Sequence, residues 1–73
     1  MVQVKDAKML FDNGSFKGWH LDKHFDHWYL VLKTKKTGDE VLYTNRGEIR
    51  YFANIDSAVR IVESIGFDVS RLS

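Results

Sequence analysis

Trp28-Tyr29-Leu30-Val31-Leu32-Lys33-Thr34 restricts the fold more than any other stretch of this chain. Aromatic and β-branched side chains suit a pleated, half-buried strand better than a helix. Asp26-His27 turns the chain before it, and Lys35-Lys36-Thr37-Gly38-Asp39 makes a polar turn after it. Strands joined by such short turns pair antiparallel, because a parallel neighbour needs a crossover of about a dozen residues.

The neighbours are readable on both sides. In Gly18 to Phe25, Trp19, Leu21 and Phe25 share one parity, while His20, Asp22 and His24 share the other, which predicts a strand with one greasy side. Glu40 to Thr44 is the next strand, and Glu48 to Phe52 the last. Asn45-Arg46-Gly47 reads as a three-residue loop, a type I turn closed by a left-handed glycine, pairing Tyr43 with Ile49 and Val41 with Tyr51. An even-length loop at 35–38 puts Leu30 and Leu32 beside Val41 and Tyr43. One face then reads Trp28, Leu30, Leu32, Val41, Tyr43, Ile49 and Tyr51 and is the expected core. The other, expected open, reads Tyr29, Val31, Lys33, Glu40, Leu42, Thr44, Glu48, Arg50 and Phe52.

Helices bracket the strands. Ala7, Leu10 and Phe11 fall at i, i+3 and i+4, and Gly14 can stop a helix, which predicts one over about 5–12. Ala58, Ile61, Val62 and Ile65 form a longer apolar stripe after Asp56, a good N-cap. Gly66 sits at the C′ position, with Phe67 placed to fold back onto Val62. The second helix is expected to cover the apolar sheet face, the first to cover Tyr29, Val31, Leu42 and Phe52 through Leu10 and Phe11, and residues 68–73 to form a loose tail. The order is α-β-β-β-β-α, or α-β-β-β-α if 18–25 is irregular. That is an α+β fold: a short N-terminal helix, a three- to four-stranded antiparallel meander, and a C-terminal helix packed on one sheet face.

At 73 residues the chain suits one domain, 1–73, and at this size only about 60% of the unfolded surface is buried, too little wall for a deep substrate pocket. With 44% apolar residues it is too hydrophobic for a disordered tail. There is no cysteine, so disulfides and thiolate metal sites are excluded, and a reducing cytoplasm is compatible. Residues 1–8 hold no apolar run of the signal-peptide kind, and no stretch approaches the roughly 20 apolar residues of a membrane helix, so a cytoplasmic protein without membrane contact is expected.

Three constellations could carry function. His20, Asp22 and His24 point one way on a strand, at a spacing that could offer a metal two imidazoles and a carboxylate. No second ligand cluster follows, so a solvated strand face with no bound metal or other cofactor is expected. The five serines sit in no nucleophile turn and the glycines in no phosphate loop, so neither an enzyme nor a small-molecule substrate is expected. The cations are the second constellation: Lys33 and Arg50 on the open face near Tyr29, Lys35 and Lys36 at one hairpin tip, and Arg46 at the opposite end of the sheet. Cations interleaved with aromatics suit nucleic acid, through phosphate contacts and base stacking, whereas cross-strand pairing of Lys33 with Glu40 is the ordinary structural use. Eleven basic and ten acidic residues leave a net charge of +1, lower than usual for a protein that grips many phosphates. The third is the apolar patch on that face, which would otherwise meet a protein partner or a second copy of the chain.

From Trp28-Tyr29-Leu30 through Asn45-Arg46-Gly47-Glu48-Ile49-Arg50-Tyr51-Phe52 to Asp56-Ser57-Ala58-Val59 and Ile65-Gly66-Phe67, with Ala7-Lys8-Met9-Leu10-Phe11 at its start, the chain resembles short bacterial proteins encoded near plasmid replication and partition genes. The resemblance implies a non-enzymatic accessory role in maintaining a mobile element and carries over no functional residue. The Tyr51-Phe52 to Ala58 step also resembles three-stranded DNA-binding domains with a packed helix, such as the arm-binding domains of phage integrases. That likeness implies DNA contact by the open face, through Tyr29, Lys33 and Arg50 with Lys35, Lys36 and Arg46 around it; Glu40 and Glu48 depart from it. The alternative is a protein-interaction module or homodimer with no nucleic-acid role.

Overall fold

In the computed structural model, which describes residues 2–69, the elements run β1 (Val2–Gln3), α1 (Val4–Asp12), β2 (Phe16–His24), β3 (His27–Thr34), β4 (Asp39–Tyr43), β5 (Tyr51–Phe52) and α2 (Ile55–Ile65). The class is α+β, with a helix near each end. The sheet has five strands in place of the expected three or four, and it is mixed. β2, β3 and β4 form the antiparallel meander, and β1 adds to β4 in parallel through Val2–Leu42 and Gln3–Tyr43. β5 lies on the same edge of β3 as β4, pairing Trp28 with Phe52 and Tyr29 with Tyr51.

The Asn45-Arg46-Gly47 loop has the expected form, but the strand after it is only Tyr51–Phe52, and Tyr51 pairs with Tyr29 rather than with Val41. Tyr43 bridges Ile49, the Gly47 N–H donates to the Thr44 carbonyl at 3.0 Å, and Gly47 has φ +83. That angle is free for glycine and costly for any residue with a Cβ.

The other hairpin corrects the face assignment. Leu32 pairs with Glu40 and Lys33 with Asp39, so the turn loop has three residues, 35–37, and is odd in length. Thr34 directs it: its hydroxyl accepts the Thr37 N–H at 3.1 Å, and its own N–H donates to the Gly38 carbonyl at 3.1 Å. One residue of shift turns every side chain of the following strand over. The core therefore takes Leu42 and Phe52, while Val41, Tyr43, Ile49 and Tyr51 belong with Val31 and Tyr29 on the opposite face. Burying Leu42 and Phe52 removes more purely apolar surface than burying Val41 and Tyr51, whose hydroxyl would need a partner.

Every element contributes to one buried cluster: Val2, Ala7, Phe16, Leu30, Leu32, Leu42, Phe52, Ala58, Val62 and Ile65. Phe16 and Trp19 share the core side because a bulge between Phe16 and Gly18 makes Lys17 the extra residue. α1, expected from the sequence to cover the other face, lies instead beside α2, and its Leu10 and Phe11 pack on the same cluster. The N-cap of α2 is Asn54, whose Oδ1 accepts the Ser57 N–H at 2.9 Å, and Asp56 stands inside the first turn. Ile61 is half-buried while Val62 and Ile65 are buried. After Gly66, Phe67 finds its aromatic partners in Phe11, edge-on at 4.8 Å, and Phe16 at 5.8 Å. Val69 of the expected tail packs on the core, and residues 70–73 lie outside the described residues.

Candidate functional site

With both helices on one side of the sheet, its other face is open. Lys33 and Asp39 stand opposite each other at one end, and Val31 and Val41 follow. Tyr29 stands between Asp22 on β2 and Tyr51 on β5. His20 is opposite Val31, and Tyr43 and Ile49 continue the apolar strip.

Rings gather at the far end. Tyr51 meets Tyr29 at 6.2 Å, His27 at 6.1 Å and His24 at 6.0 Å, and His24 meets Phe25 at 4.5 Å. Tyr51 keeps 44% of its surface exposed. Phe25 is 84% exposed and has φ +55. It is the first residue of a two-residue turn closed by the His24–His27 pair, a position that ordinarily calls for glycine. A bulky residue held there costs about 1–3 kcal/mol of strain. Nothing in the core repays it, since the ring points into solvent.

The residues expected to bind nucleic acid separate. Tyr29 and Lys33 do lie on the open face, with Asp39 rather than Glu40 opposite Lys33. Lys35 and Lys36 are exposed at the β3–β4 turn, and Arg46 is exposed at the β4–β5 turn. Arg50 does not join Lys33: its guanidinium lies 5.8 Å from the ring of Phe52, a core residue. Glu40, Leu42 and Phe52, read as open-face residues, have turned to the helix side with it. The odd Lys35–Thr37 loop causes all of these changes. Val41, Tyr43, Ile49 and Tyr51 are the open-face residues expected from the sequence to lie in the core. The turn expected at Asp26-His27 falls one residue earlier, at Phe25-Asp26, with His27 already in β3, so Phe25 leaves the greasy side of β2 for solvent.

Of the histidine cluster, His20 Nε2 and Asp22 Oδ2 stand 3.4 Å apart at the surface, and His24 turns to Phe25 and Tyr51. Among the described residues no three His, Cys, Asp or Glu side chains converge as a metal site requires. A cleft of about 310 Å³ lies between the end of α1 and the β3–β4 turn, lined by Leu10, Ser15, Thr34, Lys35, Thr37 and Glu40 among others. It contains hydroxyls but no histidine that could act as their base, and the Thr34 hydroxyl is engaged by Thr37 and Gly38. No helix among the described residues is long and apolar enough to cross a membrane.

Fold and face together define a two-layer α+β domain with one sheet face under two helices and the other bare and aromatic. Compared with protein-family models, curated proteins and solved structures, the chain matches none.

Proposed function

We propose that this is a non-enzymatic binding module that docks a protein partner on its open sheet face. The observation that carries the reading is Tyr51. It stands half-exposed at the centre of a ring cluster on a rigid sheet, flanked by Tyr29, His27 and His24, with the strained, exposed Phe25 packed on His24. Aromatic anchors surrounded by apolar side chains and few charges are what a protein interface concentrates at its centre. The charge on the face supports the same reading, since Lys33 stands opposite Asp39 and a second carboxylate, Asp22, stands opposite Tyr29. A reducing, cytoplasmic setting fits a chain without cysteine.

A photo-crosslinking phenylalanine analogue at position 51 tests this in cells, with the same analogue at Lys8 on α1 as control. A protein adduct at 51 that is absent at 8 is the expected result. Nucleic acid alone crosslinked at 51 overturns it. Truncating an anchor of this kind typically costs about 2 kcal/mol or more, so Tyr51→Ala should weaken the identified partner at least about 30-fold.

A second reading, DNA contact in an accessory role for a mobile element, is favoured by the Tyr29–Tyr51 ring pair on the same face as Lys33, with Lys35 and Lys36 at the turn beyond Lys33. Phosphate contacts weaken steeply as salt rises, so NMR titration with duplex DNA at two salt concentrations distinguishes the readings. Shifts at Tyr29, Lys33 and Tyr51 that vanish at physiological salt would belong to DNA.

A further inference from the structure

We propose that two copies of this chain pair through the outer edge of β2, joining their sheets into one. β2 is the longest strand and an edge: among the described residues it pairs only with β3. Its outer backbone groups form a template for another strand. The side chains along it are also incompletely covered. Both helices pack toward β1, β3 and β5, and Trp19, Leu21 and Trp28 on the helix side remain half-buried at the margin of the core. Two tryptophans and a leucine form an apolar shoulder beside an open edge, and a two-fold axis perpendicular to the sheet would bring two such shoulders together.

The sequence of the edge selects the partner and the register. In a symmetric antiparallel pairing centred on Leu21, Leu21 meets itself, His20 meets Asp22, Trp19 meets Lys23 and Gly18 meets His24, each across the two-fold axis. These pairs are complementary: His20 and Asp22 already associate within the chain, and Lys23 Nζ already sits 5.4 Å from a tryptophan ring, that of Trp28. Sliding by two residues sets Asp22 against Asp22 in one direction, and His20 against His20 with Asp22 against Gly18 in the other, so both neighbouring registers lose the His20–Asp22 pairs. The sum of paired residue numbers is even, which keeps all four helices on one side and leaves the two open faces side by side. The bulge at Phe16/Gly18 ends the pairing at Gly18. The interface takes the outer edge of β2, shares with the open face only its margin residues His20, Asp22 and His24, and leaves Tyr29, Val31 and Tyr51 uncovered.

The chain has no cysteine, which permits a direct test. Leu21→Cys places two thiols opposite each other across the two-fold, within disulfide reach. Lys17→Cys keeps them about eight residues, roughly 26 Å, apart along the strands. Sedimentation equilibrium of the unmodified protein should give twice the 8.5 kDa chain mass, and mild oxidation should crosslink Leu21→Cys but not Lys17→Cys. Asp22→Lys, at an exposed position, should weaken dimerisation about tenfold. The exchange of His20→Asp with Asp22→His should restore it. Circular dichroism confirms that each variant folds. A monomer at the highest soluble concentration overturns the proposal, as does a dimer indifferent to Asp22→Lys; if Leu21→Cys does not fold, the Asp22→Lys and exchange measurements decide.

Discussion

Gly66→Ala probes the junction between the two helices. Gly66 has φ +134, outside what side chains with a Cβ adopt comfortably, and a Cβ built there lies 2.6 and 2.7 Å from Cδ1 and Cε1 of Phe11. Carbon atoms pack at about 3.5–4.0 Å, so the ring must retreat by roughly 1 Å. It has little room, because Phe67 stands edge-on at 4.8 Å and Phe67 itself is near Phe16. Backbone strain of about 1–3 kcal/mol and overpacking of about 1–3 kcal/mol give roughly 2–6 kcal/mol in total. A domain of this length has a total stability of roughly 4–11 kcal/mol, so the variant should melt at least about 10 °C lower. Gly14→Ala is the control: Gly14 also has positive φ, +71, but no atom lies within 4 Å of a Cβ there, so its cost should be only about 1–2 kcal/mol. Urea unfolding followed by the fluorescence of Trp19 and Trp28 measures both. Phe11→Ala should relieve the clash, so the double variant should be more stable than the two single costs predict, by about 1–3 kcal/mol. Gly66→Ala no worse than Gly14→Ala, or strict additivity with Phe11→Ala, would refute the packing described.

Two further outcomes test the corrected assignments. Leu42 is fully buried and Val41 half-buried on the open face, so Leu42→Ala should cost about 2–5 kcal/mol and Val41→Ala clearly less, about 1 kcal/mol; the reverse order in urea melts would restore the opposite face assignment. Asn54 caps α2 through the Ser57 N–H, so Asn54→Ala should lose about 0.5–2 kcal/mol. Asp56→Ala removes only a favourable first-turn charge, about 0.3–1 kcal/mol, with thermal melts at low and high salt separating the two effects.

What the sequence by itself determined were the elements whose causes are local. The stripes Ala7-Leu10-Phe11 and Ala58-Ile61-Val62-Ile65 specify helices through a 3.6-residue period, and α1 and α2 form there. Gly47 specifies its turn because only glycine enters the left-handed region freely, and Tyr43–Ile49 pair as that turn requires. Tyr29 and Lys33 were legible as open-face residues because they share a strand parity opposite to that of Leu30 and Leu32, the fully buried residues of β3. Tertiary structure decided the rest. The parity of the Lys35–Thr37 loop depends on a contest over burial between Leu42 with Phe52 and Val41 with Tyr51, and that contest is settled only when both helices are in place. It moved Arg50 off the candidate site and Tyr51 onto it. The parallel pairing of β1 with β4, and the sharing of one β3 edge by β4 and β5, join residues about 40 positions apart or more in the first case and rest on no local signal. Local periodicity specifies which residues form an element; which face of that element meets water is set by everything packed against it.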